Sequence, residues 1–114
     1  MRLDHVQVAC PAGGEADARA FYGDWLGMPE IDKPEALRSR GGVWFACGPQ
    51  QLHVGVEADF APARKAHPAF AVDDLDALVE GRDVTWDENI PGVRRCYVSD
   101  PFGNRVELIC ELGI

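Results

Sequence analysis

The sequence has no apolar run approaching the ~20 residues that a bilayer-crossing helix needs, which excludes a helical membrane span. It has no basic cluster either: 11 lysines and arginines stand against 19 acidic residues, for a formal net charge of −8. Such a chain repels a phosphate backbone and an anionic bilayer surface, so neither nucleic acid nor membrane is expected as a partner. The four cysteines, Cys10, Cys47, Cys96 and Cys110, never approach a CxxC spacing and sit in apolar stretches as small hydrophobes. Met1-Arg2-Leu3-Asp4-His5 leads directly into a strand-like pattern without a signal-peptide apolar region. Together these features set the expectation of a cytoplasmic chain with reduced thiols. Histidine is scarcer still, with only His5, His53 and His67 among 114 residues. What is present is ordinary for a globular domain: 46% hydrophobic and 26% charged residues, at a length suited to one domain.

Periodicity orders the chain into two similar halves. Leu3 to Cys10 alternates as a half-buried strand, and Pro11-Ala12-Gly13-Gly14 breaks it. Residues 15–26 then carry a helical stripe of Ala18, Phe21, Tyr22, Trp25 and Leu26, with Gly27 at the C-cap position. Three shorter strands are expected next. Residues 29–32 and 36–40, interrupted by Pro29 and Pro34, leave the first open, whereas Gly42–Cys47 and Gln51–Glu57 are distinct. An Ala/Pro-rich linker covers about 58–66. The pattern then restarts with a strand over His67–Val72, a short helix over 75–80 capped by Asp73 or Asp74, and strands over Val84–Trp86, Gly92–Val98 and Asn104–Glu111. Asp100-Pro101-Phe102-Gly103 is a β-turn with proline and glycine in their favoured places. The expected fold class is α+β, with two βαβββ modules at about 1–57 and 67–114.

Parity singles out four residues. In four of these strands the aliphatic side chains occupy one face, and His5, His53, His67 and Glu107 occupy the other. Two of the strands begin a module and two end one, so the four positions form two matching pairs. Three imidazoles and a carboxylate suit Zn, Ni, Fe, Mn or Co as a divalent ion. The competing reading is an ordinary solvent-facing sheet surface.

The whole chain resembles the vicinal oxygen chelate superfamily, which includes glyoxalase I, fosfomycin-resistance proteins, extradiol dioxygenases, methylmalonyl-CoA epimerase and the bleomycin-resistance proteins. Four motifs carry the resemblance in order: Leu3-Asp4-His5-Val6; Ala20-Phe21-Tyr22 with Trp25-Leu26-Gly27-Met28; His67-Pro68-Ala69-Phe70-Ala71-Val72-Asp73; and Ser99-Asp100-Pro101-Phe102-Gly103-Asn104-Arg105-Val106-Glu107-Leu108. The last is the most specific. The resemblance implies a curved mixed sheet and metal ligands on the first and last strands of each module, here His5, His53, His67 and Glu107. His53 departs from the glutamate or glutamine usual in glyoxalase I and the epimerases, where the glutamate moves a proton between adjacent carbons. His53 and Glu107 are accordingly the candidate catalytic groups. A metal there would bind two neighbouring oxygens of a small-molecule substrate, in lyase, isomerase, transferase or dioxygenase chemistry.

Around the same face, Gln7, Trp44, Arg95 and Tyr97 are candidate substrate contacts: Trp44 and Tyr97 as walls, Arg95 toward an anionic group, and Gln7 as a hydrogen-bonding residue. Arg105 is placed to form a salt bridge beside Glu107, and Glu57 lies too near its strand end to replace His53. A C₂ homodimer is the expected assembly. The alternative function is a non-catalytic binder of the bleomycin-resistance type, which would hold a drug without a metal.

Overall fold

The computed structural model describes residues 1–111. The chain forms two compact units, residues 1–62 with 101–104 and residues 63–100 with the remaining C-terminal segment. Each contains a four-stranded sheet. The first unit holds β1 (His5–Cys10), β2 (Glu30–Ile31), β3 (Val43–Cys47) and β4 (Gln50–Val56), in the order β1-β4-β3-β2. The second holds β5 (Ala69–Ala71), β6 (Thr85–Asp87), β7 (Val93–Ser99) and β8 (Arg105–Glu111), in the order β5-β8-β7-β6. The same topology therefore occurs twice, as two mixed four-stranded sheets. In each unit the opening strand lies parallel to the closing one and the other two pairings are antiparallel.

Alternation decides what each sheet buries. Cys10, Val43, Phe45, Leu52 and Val54 point to one face of the first sheet, and the helix supplies Ala18, Phe21 and Tyr22 to the same core. Cys96, Val98, Val106 and Leu108 do the same in the second unit, with Leu75 and Val79 from α2 (Leu75–Val79). The Asp74 carboxylate caps α2 by accepting the Ala77 amide at 3.2 Å.

The first helix, α1, starts as one α-turn, Glu15–Ala18, and widens into a π-helix over Arg19–Trp25. Its last turn is closed by the Leu26 amide donating to the Phe21 carbonyl at 3.0 Å, five residues back. The wider turn buries two consecutive aromatics, Phe21 and Tyr22. Gly27, at φ +78°, ends the helix as expected.

One point the sequence left open is resolved and one expectation is corrected. Residues 36–40 are not a strand: Glu35–Arg40 is a 3₁₀ helix launched by Pro34 at φ −52°, and β2 shrinks to Glu30–Ile31. His67 lies before β5 rather than in it. Pro68 carries no amide proton, so the ladder there begins with its carbonyl accepting the Glu107 amide at 3.0 Å. The remaining strands differ from expectation by one or two residues at their ends. All four cysteines are free thiols.

Candidate functional site

The registers show that the two modules repeat at the level of single residues. Gln7 pairs with His53 across β1 and β4, and Ala69 pairs with Glu107 across β5 and β8. His5 lies two residues before Gln7, and His67 two before Ala69. Trp44 is the β3 partner of His53, and Tyr97 the β7 partner of Glu107. His5 therefore corresponds to His67, His53 to Glu107, and Trp44 to Tyr97, all on the face opposite the cores.

In the first unit, His53 is 5% exposed and sandwiched between two rings. Trp44 stacks on it at 3.7 Å between ring centroids and 2° between planes, and His5 at 4.2 Å and 18°. This follows from β4 lying between β1 and β3 in the sheet. Burial pushes the His53 imidazole below its ordinary value of 6.5, and the neighbouring His5 charge adds to this while Asp4 opposes it. His53 Nε2 donates to Gln51 Oε1 at 2.8 Å, leaving the lone pair on Nδ1. His5 Nδ1 donates to Asp4 Oδ2 at 2.8 Å, and that contact holds the Asp4 carboxyl below its usual range.

The depressed His53 value makes the metal-free protein pH-sensitive. The unfolded chain takes up a proton near pH 6.5 that folded His53 refuses, so stability is full above that pH and falls as pH drops below it. Denaturant midpoints between pH 7.5 and 5.5 should fall more steeply for the wild type than for His53→Gln. Equal slopes would remove His53 as the cause.

In the second unit, His67 Nδ1 donates to the Lys65 carbonyl at 2.9 Å, while Nε2 faces Glu107 Oε1 at 3.1 Å. With its proton on Nδ1, a neutral His67 presents a lone pair to a carboxylate oxygen, an arrangement that needs a proton or a cation between the two atoms. The other Glu107 oxygen accepts from Arg95 Nη1 at 3.4 Å, and Arg95 Nη2 pairs with Asp87 at 2.9 Å. Arg95 also donates to the Tyr97 hydroxyl at 3.0 Å, so three partners engage its guanidinium, although its Nε is buried without one. Arg105 does not pair with Glu107; its guanidinium lies 3.8 Å above the Tyr97 ring. Glu57 is exposed just beyond the end of β4. Gln7 is exposed too, its amide lying against Gly55, where an added Cβ would come within 3.0 Å.

The four candidate ligands thus stand as two pairs, His5 with His53 and His67 with Glu107, one in each unit. Among the described residues no group of three or more His, Cys, Asp or Glu side chains is arranged to hold a metal ion. Each histidine nevertheless has one ring nitrogen tied to an oxygen acceptor, which fixes the tautomer and frees the other nitrogen, as metal-ligating histidines require. That donor chemistry fits a divalent ion. Sequence reading missed the supporting groups. Gln51 shares the parity of His53 and was within reach of the same argument; Asp87 depends on the β6–β7 register, which has no local signal.

No protein-family model matches the chain, and no curated protein matches it either. Solved structures do. A glyoxalase family protein from Bacillus anthracis is 52% identical over 97% of this chain and 95% of its own, with a TM-score of 0.92. A glyoxalase/dioxygenase from Nostoc punctiforme is 21% identical over 98% and 92% of the two chains, with a TM-score of 0.77. Lactoylglutathione lyase from Agrobacterium tumefaciens is 24% identical over 96% and 92%, with a TM-score of 0.69. The last two likenesses are of fold. No helix is long and apolar enough to cross a membrane among the described residues. The repeated βαβββ module, the matched residue pairs and the extended identity to the Bacillus anthracis protein agree: the chain belongs to the glyoxalase family of the vicinal oxygen chelate superfamily.

Proposed function

We propose that this protein is a divalent-metal-dependent enzyme acting on a small molecule through two adjacent oxygens, within the lyase, isomerase, transferase and dioxygenase repertoire of its superfamily. His5, His53, His67 and Glu107 would hold the ion. The observation that carries this reading is the His67–Glu107 pair, an imidazole nitrogen and a carboxylate oxygen 3.1 Å apart with the other imidazole nitrogen already spent on a backbone carbonyl. When bound, the ion would supply Lewis-acid stabilisation of negative charge developing on the substrate oxygens.

The chain's own groups have distinct parts in this scheme. His53, buried and kept neutral, offers a nitrogen lone pair where a glutamate is usual in glyoxalase I, so it donates to a metal or accepts a proton without adding negative charge. Arg95 and Asp87 hold Glu107 in place, and Trp44 and Tyr97 wall the two halves of the site. Because each unit supplies only two donors, a complete set needs both pairs, and we expect a C₂ dimer to assemble them.

Metal analysis after chelation, re-addition and dialysis should find about one divalent ion per completed four-ligand set. His67→Ala and Glu107→Ala should each weaken its binding at least ~100-fold, beyond the loss typical of a supporting residue. Sedimentation should give about twice the 12.5 kDa chain mass. Stoichiometry near zero in the wild type would end the metal reading, and a monomer at micromolar concentration would end the dimer.

A further inference from the structure

The first unit has a cavity of about 220 Å³ beside the His53 stack, lined by Gln7, Lys33, Leu37, Arg40, Trp44 and Gly55 among others. The two modules differ in this region. By the register that equates Trp44 with Tyr97 and His53 with Glu107, Gly42 and Gly55 correspond to Arg95 and Ile109. Gly55 carries no side chain, and the Gln7 amide lies against it instead. The 3₁₀ segment Glu35–Arg40 brings Leu37 and Arg40 to the edge of the cavity.

The lining carries positive charge in an otherwise acidic chain. Arg19, Arg94 and Arg95 are neutralised by Glu30, Asp76 and Asp87. Arg40 forms no ion pair among the described residues, and Lys33 donates to the Gly41 carbonyl, a neutral partner. Glu15, whose carboxylate feels the Lys33 charge and accepts the Gly42 amide, is not part of the lining. Trp44 and Leu37 supply an apolar part of the lining.

We propose that this cavity is an anion pocket for a carboxylate on a small, flat organic molecule, with Arg40 and Lys33 meeting the charge, Gln7 hydrogen-bonding beside them and Trp44 meeting the skeleton. Its volume is below the ~300–1,000 Å³ usual for drug-sized ligands, so it takes a compact molecule or one end of a longer one. Trp44 also stacks on His53. Joined to the proposed function, on which this step alone rests, the substrate is an oxygenated carboxylate whose anionic end occupies this pocket.

The test titrates benzoate into metal-free protein held in chelator, with benzamide as its neutral counterpart. Benzoate should saturate the wild type at millimolar concentration, and benzamide should bind at least tenfold more weakly. Arg40→Gln and Lys33→Gln should each weaken benzoate at least fivefold, with Arg40→Lys restoring part of the loss, and added salt should weaken it further. Arg40 is exposed, so thermal unfolding of its variants should match the wild type. His67→Ala and Glu107→Ala should leave benzoate binding within twofold, which separates failure of the metal reading from failure of this one. Equal binding of benzoate and benzamide, unchanged affinity in Arg40→Gln, or no saturation by about 20 mM would overturn the proposal.

Discussion

Tyr22→Ala should lower the unfolding free energy by about 3–5 kcal/mol, the range for truncating a buried aromatic. Tyr22 is wholly inaccessible to solvent, with Phe21 edge-on at 4.8 Å and Phe45 of β3 at 6.1 Å. The π-helical turn that carries it is committed by its hydrogen bonds to presenting Phe21 and Tyr22 to the core together, so the helix cannot rotate to fill the space without exposing Phe21. Domains of this size have only about 5–15 kcal/mol in total. The melting temperature should therefore fall by more than about 10 °C. Leu3→Ala, at a residue 61% exposed, is the control and should stay within about 0.5 kcal/mol of wild type. Scanning calorimetry showing comparable losses for both variants would mean that the core is not organised around this helix.

The second large effect is expected at Gly42. Its φ is +88°, and a Cβ built there would fall inside van der Waals contact of the Val54 carbonyl oxygen. That obstruction is backbone, not a flexible side-chain tip, and it lies beside the Val43–Val54 pair that opens the β3–β4 ladder. Gly42→Ala should therefore cost on the order of 3 kcal/mol or more, combining conformational strain with a displaced strand. Gly48 separates the two contributions. Its φ is +56°, yet nothing lies within 4 Å of its would-be Cβ, so Gly48→Ala should cost only the strain, about 1 kcal/mol. Denaturant unfolding of the two variants side by side decides it; equal losses would show that strain alone operates.

The contrast between what the sequence revealed and what it concealed has a physical basis. Strand parity is local, and Val6, Val8, Leu52 and Val54 were enough to assign the core face and, by exclusion, the face of His5 and His53. The helix stripe was legible for the same reason, though its π-helical widening was not, since the spacing Phe21-Tyr22-Trp25-Leu26 suits an α-helix as well. Pro34 marked a break but did not reveal that Ala36 and Leu37 would wind as 3₁₀ instead of extending. Pairing between distant strands has no local signature. The parallel contact of β1 with β4, which sets His5 against His53, and the β6–β7 register, which gives Arg95 its Asp87 partner, became visible only once folded. The basic pocket stayed hidden because it gathers Gln7, Lys33, Arg40 and Trp44 from separate stretches of the chain.

Cys10 and Cys96 are each fully buried, one on β1 and one on β7, so each unit holds one concealed thiol. Burial also pushes the Cys96 thiol above its ordinary value, which keeps it in the unreactive protonated form. A thiol reagent added to the native protein should first find the part-exposed Cys47 and Cys110. It reaches the other two only when a strand leaves its sheet. The pair is thus an intrinsic clock for opening: equal labelling rates at Cys10 and Cys96 mark one cooperative event, and unequal rates mark two units that breathe separately.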